Sequence, residues 1–258
     1  MGKIIAIANQ KGGVGKTTTA INLAAALGQA GKKILMVDVD PQGNTTSGLG
    51  VNKRETAGST YQMLIAGAQI EDILVKTPYV CMDLIPSNME LAGVEIELVD
   101  MPERTNRLKQ ALAPVKEQYD YILVDCPPSL GLITLNALTA SNSLLVPIQC
   151  EYYALEGLSQ LMSTVRQVKR MYNPDLELEG VLLTMYDSRL NLTLQVLAEV
   201  KKYFPDKVYK TVIPRNVRLS EAPSYGLPIQ YYDGASKGAS SYDKLAKEFL
   251  RLQSKARR

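Results

Sequence analysis

The segment Lys11-Gly12-Gly13-Val14-Gly15-Lys16-Thr17-Thr18 limits what this chain can fold into more than any other stretch. It joins the apolar run Lys3-Ile4-Ile5-Ala6-Ile7-Ala8 to a helical pattern reaching from about Lys16 to Ala30. A buried strand, a glycine-rich turn and a helix in direct succession make an anion site. The glycines let the backbone wrap around phosphate oxygens with its N–H groups aimed inward. The start of the helix adds its dipole to the same point. Lys16 is placed to reach terminal phosphates, the Thr17 hydroxyl to ligate Mg2+, and Thr18 to donate to the phosphate nearest the sugar. A general P-loop asks for glycine at position 10, where this chain has Gln10; a second lysine, Lys11, follows.

The remainder alternates in the same way. Ile34-Leu35-Met36-Val37, Met82 to Pro86, Tyr121-Ile122-Leu123-Val124, Leu144-Leu145-Val146-Pro147 and Val181-Leu182-Leu183-Thr184 read as strands. They lack polar alternation, so both faces are covered, as in a parallel sheet. Helices are expected over 102–119, 154–172, 189–203 and 236–256, with Pro102 near the start of the first and Gly31 closing the helix before it. Strand and helix in turn predict a doubly wound α/β fold, mostly parallel, with helices on both faces. There are no repeats or linkers, so the 258 residues are read as one domain, 1–258.

Several chemistries are excluded by residue type. Histidine is absent, which removes Ser-His and Cys-His nucleophiles and histidine metal sites. Cys81, Cys126 and Cys150 form no C-x-x-C pair. No apolar run nears the ~20 residues that cross a bilayer, and no leader precedes the first strand, so a cytoplasmic location is expected. The net charge of +3 is uneven: residues 201–258 hold 13 Lys/Arg against 5 Asp/Glu. That excess is either an ordinary solvated helix surface or a basic face for a polyanion, DNA foremost.

Two strands end in carboxylates. Tyr121-Ile122-Leu123-Val124-Asp125 has the Walker B form, in which Asp125 holds Mg2+ through water. The loop Cys126-Pro127-Pro128-Ser129-Leu130-Gly131 follows, stiffened by its prolines, with Gly131 able to bring a backbone N–H near the last phosphate. The other strand runs into Asp38-Val39-Asp40-Pro41-Gln42-Gly43-Asn44.

Lys-Gly-Gly-x-Gly-Lys-Thr with its early lysine resembles the deviant Walker A motif of the ParA/MinD group of P-loop (SIMIBI-type) ATPases. Residues 8–23, Asp40-Pro41-Gln42-Gly43-Asn44, Ser47-Gly48-Leu49-Gly50, Thr184-Met185-Tyr186-Asp187-Ser188-Arg189 and 213–224 resemble chromosomal ParA (Soj-type) partition ATPases. The resemblance implies an ATP-dependent homodimer in which Lys11 of one subunit contacts the phosphates held by the other. It implies ATP and Mg2+ as ligands, and slow hydrolysis with Lys11, Lys16 and Asp40 in catalysis. Asp40 positions the attacking water, and Asp38, nearer the strand, acts near the metal with Thr17 and Asp125. Met185, Pro214 and Asn216 are expected beside the adenine. Arg189 and Arg218 are candidate contacts to non-specific double-stranded DNA, with Lys201, Lys202, Lys237, Lys244 and Lys247 as extensions of that surface. A ParB-type centromere-binding protein is the implied activator, and a nucleoid-associated location follows. The chain resembles the short forms without an upstream helix-turn-helix. The alternative is a MinD-like membrane-cycling ATPase, with an amphipathic tail around 245–252; no membrane partner is expected.

Overall fold

The structure, a computed structural model, describes residues 2–151 and 154–256. Seven strands form one sheet: β1 Lys3–Ile7, β2 Ile34–Asp38, β3 Val75–Lys76, β4 Met82–Ile85, β5 Tyr121–Asp125, β6 Ser143–Gln149 and β7 Glu177–Thr184. Their order is β3-β4-β2-β5-β1-β6-β7, and every pairing is parallel except that of β3 with β4. The two-residue β3 has no periodicity to betray it in the sequence; it is an antiparallel edge that lies on Leu84 and Asp83. The mostly parallel, doubly wound α/β architecture is as expected.

The long helices are α1 Lys16–Gln29, α7 Ala154–Met171, α8 Asn191–Tyr203 and α11 Lys237–Ala256. Between them lie α2 Asn44–Gly48, α3 Ile70–Ile73, α4 Val94–Glu97, α5 Arg107–Leu112, α6 Leu132–Ala140, α9 Val217–Glu221 and α10 Ile229–Tyr232. The helix expected over 102–119 is therefore much shorter. Glu103 takes a left-handed φ of 55°, which stops a helix from running out of Pro102. Pro114 has no amide to continue the ladder past Leu112, and only a 3-10 turn at Lys116–Gln118 follows.

Every strand except the edge strand β3 divides its side chains between two cores. Ile4 and Ala6 of β1 and Ile122 and Val124 of β5 face one layer, with Ile133 and Ala137 of α6, Leu161 and Val165 of α7 and Val196 of α8. Ile5, Ile7, Tyr121 and Leu123 face the other, with Leu23 and Leu27 of α1 and Tyr242, Leu245, Ala246 and Phe249 of α11. Fully covered strands on both faces explain why the sequence shows apolar runs rather than alternation. The apolar stripe of the C-terminal helix is consumed in this packing: Phe249 meets Tyr121 edge-on at 5.0 Å between centroids. No helix among the described residues is long and apolar enough to cross a membrane.

Chain order makes the site. From β1 the chain goes through α1 to β2 on one side, whereas from β5 it crosses β1 to reach β6 on the other. The crevice beyond the strand ends at such a reversal is where α/β sheets bind ligands. Register sharpens it: Ile7 and Asp38 both align with Asp125, so three strands end flush at the root of the glycine turn.

Candidate functional site

The turn between β1 and α1 is built for an anion. Gly13 and Gly15 adopt φ of 74° and 85°, values at which a side chain would be strained. Ideal Cβ atoms at Gly12 and Gly13 would meet nothing within 4 Å, so the backbone opens directly to the cleft. The loop is tied down from behind. Thr184 at the end of β7 donates its hydroxyl to the Val14 carbonyl at 2.8 Å, and Asn9 accepts from the Lys11 amide at 3.0 Å. The cleft, of about 460 Å³, is walled by Gly12, Gly13, Gly15, Lys16, Thr17, Thr18, Asp40, Gln42, Pro128, Met185 and Pro223, among others. A larger cleft of about 820 Å³ opens beside it along residues 51–62 and 88–90. It contains none of the phosphate-loop residues, and chemistry, not volume, picks the site.

Lys16 is buried, and its Nζ donates to the Lys11 carbonyl at 3.2 Å. Burial lowers its pKa, with the charge of Asp125 the largest influence opposing that fall. Thr17 Oγ1 and Thr45 Oγ1 both donate to Asp125 Oδ2, at 2.7 and 2.8 Å. Asp125 Oδ1 is buried and has no hydrogen-bond partner. Burial raises this carboxyl to about 6, against the stabilising bonds from the two threonines. A wholly buried carboxylate oxygen left without a partner, beside a threonine at the start of α1, fits a small hard cation. Among the described residues no cluster of three His, Cys, Asp or Glu forms a metal cage. One carboxylate plus phosphate oxygens is the usual way Mg2+ is held.

Asp38 and Asp40 diverge in role. Both oxygens of Asp38 are occupied: Oδ2 accepts from the Thr46 amide (2.8 Å) and hydroxyl (2.7 Å), and Oδ1 from the Asp40 amide (3.1 Å). Burial, reinforced by the neighbouring Asp125, raises it to about 7. Asp38, expected to act near the metal, is instead tied on both oxygens to the loop that follows it. Asp40 lines the cleft, with Oδ1 accepting from the Gln42 amide at 2.9 Å. Lys11 does not reach into the cleft: its Nζ is 2.5 Å from Glu151 Oε2.

Of the residues expected near the base, Met185 lines the cleft, in a left-handed conformation of φ 49°. Pro214 is stitched beside it by a bridge to Tyr186. The Asn216 side chain caps α9 through the Leu219 amide, and neither it nor Pro214 is in the cleft wall. Pro223, which the sequence reading missed, is in that wall. Its signal was membership of the 213–224 stretch, from which only Pro214, Asn216 and Arg218 were singled out.

The basic candidates lie on the surface. Arg189 forks onto its neighbour Asp187, with Nε to Oδ1 at 2.9 Å and a terminal nitrogen to Oδ2 at 2.7 Å. Arg218 pairs with Glu221 at 2.9 Å and Asp233 at 3.4 Å. Lys201, Lys202, Lys237, Lys244 and Lys247 are all exposed.

The geometry fits a phosphate-sized anion, and comparison with known proteins shows which family owns such a turn. Residues 2–178 match a family model described as an AAA domain. The chain is 62% identical over 248 residues to the sporulation initiation inhibitor protein Soj of Bacillus subtilis, covering 96% of this chain and 98% of that one. It belongs to the Soj/ParA family of partitioning ATPases. The chromosome partitioning protein ParA of Myxococcus xanthus is 53% identical over 97% of this chain and 89% of its own length. A cobyrinic acid a,c-diamide synthase from Mycobacterium smegmatis, solved with ADP and magnesium, superposes with a TM-score of 0.86 at 38% identity, covering 98% and 96% of the two chains. Proteins of differing function therefore share this scaffold, and it is the higher sequence identity to Soj and ParA that ranks them.

Proposed function

We propose that this Soj/ParA family chain is an ATPase that converts ATP and water to ADP and phosphate and uses the cycle as a dimer switch on DNA. The observation that carries the reading is the open glycine turn facing Lys16, Thr17 and the unpartnered Asp125 Oδ1. Gly12 to Thr18 surround the phosphates, Lys16 offsets their charge, and Met185 flanks the base. Thr17 and Asp125 would hold Mg2+, which would neutralise phosphate charge, while Asp38, with both oxygens already hydrogen-bonded, would act from behind them by keeping the adjacent loop in shape. Asp40 orients the attacking water; an aspartate is a weak base, so rate comes mainly from positioning and charge.

Lys11 reaches across to the partner subunit's nucleotide and closes a homodimer. Closure brings two copies of Arg189 and Arg218 to one surface for non-specific duplex DNA. Doubling the phosphate contacts makes affinity depend steeply on dimerisation and salt. A ParB-type protein accelerates hydrolysis, the dimer opens, and DNA is released, so the protein cycles on the nucleoid.

The test is sizing with ADP, ATP and a non-hydrolysable analogue, with and without duplex DNA. Lys16→Ala stays monomeric with ATP. Asp40→Ala accumulates as an ATP dimer that binds DNA, and Arg189→Glu dimerises without binding it. Normal turnover in Asp40→Ala, or a parent chain that stays monomeric with ATP, refutes the cycle.

A further inference from the structure

The two loops that frame the cleft are held by one short stretch of chain, from Ser87 to Glu95. At its first end, Ser87 is fully buried. Its amide donates to Thr46 Oγ1 at 2.9 Å, and that hydroxyl donates on to Asp38. Its own hydroxyl donates to the Asp40 carbonyl at 2.7 Å. At the other end, Glu95 in α4 reaches to the helix that follows the Asp125 loop. Glu95 Oε2 accepts from the Leu132 amide at 2.7 Å and Oε1 from the Ile133 amide at 3.2 Å. These are the first two amides of α6, whose own flanking residue, Gly131, has no side chain to cap them. A carboxylate there meets both free N–H groups and the positive end of the helix.

Gly131 confirms that the contact is built. Its φ of −77° is open to any residue, so conformation does not call for glycine. A Cβ there would lie 2.7 Å from Glu95 Cδ and closer still to both carboxylate oxygens. The missing side chain makes room for Glu95. Pro128, in the loop between Asp125 and this cap, lines the nucleotide cleft.

We propose that the stretch Ser87–Glu95 is a strap that couples the Asp38–Thr46 loop to the Asp125–Gly131 loop, and that Glu95 is a positioning residue for hydrolysis. The inference rests on the ATPase reading above. Glu95 touches no phosphate-loop residue; it sets where the second loop stands relative to Asp40, a relationship that matters to the reacting geometry rather than to ground-state binding.

Steady-state ATP hydrolysis in the full chain tests this. Glu95→Ala lowers kcat roughly tenfold with KM for ATP within about twofold. Glu95→Gln, which keeps one acceptor and loses the charge, falls between. Gly131→Ala lowers kcat in the parent by displacing the carboxylate, but adds little in the Glu95→Ala background, because nothing remains to displace. Equal losses from Gly131→Ala in both backgrounds, or a change confined to KM, overturn the assignment. Should Glu95→Ala lose its fold, Glu95→Gln and Gly131→Ala carry the same comparison. Amide hydrogen exchange separates this claim from the functional one. Release of Glu95 speeds exchange at Leu132 and Ile133 and, through the strap, at Thr46 and Ser87, whether or not the parent hydrolyses ATP. Unchanged exchange at Thr46 and Ser87 rules out the coupling, while absent turnover in the parent counts against the ATPase reading alone.

Discussion

Lys11 and Glu151 form an ion pair at 2.5 Å, so the lysine proposed to reach a second subunit is held by a carboxylate of its own chain. Both side chains are partly exposed, at 32% and 47%, which makes the pair weak enough to exchange for a triphosphate. Glu151→Gln removes the competitor. The ATP concentration at half-dimerisation, measured by sedimentation, should fall roughly two- to fivefold. An unchanged midpoint means that Lys11 is not restrained by Glu151.

Arg189 shows the same arrangement at the proposed DNA surface. Its fork onto Asp187 occupies two of its five donors and offsets its charge, both of which would otherwise serve a phosphate. Asp187→Asn should tighten binding of non-specific duplex several-fold in fluorescence anisotropy with ATP, and Arg189→Glu should abolish it. The Arg189 hydrogen bonds hold the Asp187 carboxyl at about 2. A carboxyl whose pKa is lowered loses its charge only as pH falls through that value. The ratio of mutant to parent affinity is therefore expected to stay flat from pH 5 to pH 9. A ratio that collapses toward one in the acid half of that range would mean some other group sets it.

Asp125 tests the metal arrangement. Asparagine keeps its shape and an acceptor for the two threonines but removes the charge behind the unpartnered oxygen. With Asp125→Asn, ATP affinity in the presence of Mg2+ should drop roughly tenfold or more, while affinity in EDTA stays near the parent's. Calorimetric titration with and without Mg2+ reads both. Equal losses in the two conditions would place the metal elsewhere.

Phe249 decides what the C-terminal helix does. It is fully buried against Tyr121, so Phe249→Ala should cost about 3–5 kcal/mol and lower the melting temperature by roughly 10 °C. An unchanged melting temperature, with gain of vesicle binding, would favour a detachable amphipathic tail.

The sequence by itself determined the class of fold and the open glycine turn between β1 and α1, because both rest on local chemistry. Apolar runs without alternation signal strands covered on two faces, and glycines followed by Lys16 and Thr17 build an anion site within eight residues. Only the tertiary structure decided what those parts touch. The short β3, the early end of the helix expected to run to Tyr119, and the placement of Pro223 in the cleft depend on neighbours distant in sequence. So do the partners of Asp38, Lys11 and Glu95, which come from 8, 140 and 37 residues away. Residue type and spacing announce which charges a chain owns; which oxygen is left without a partner is settled only when strands align in register and bury it.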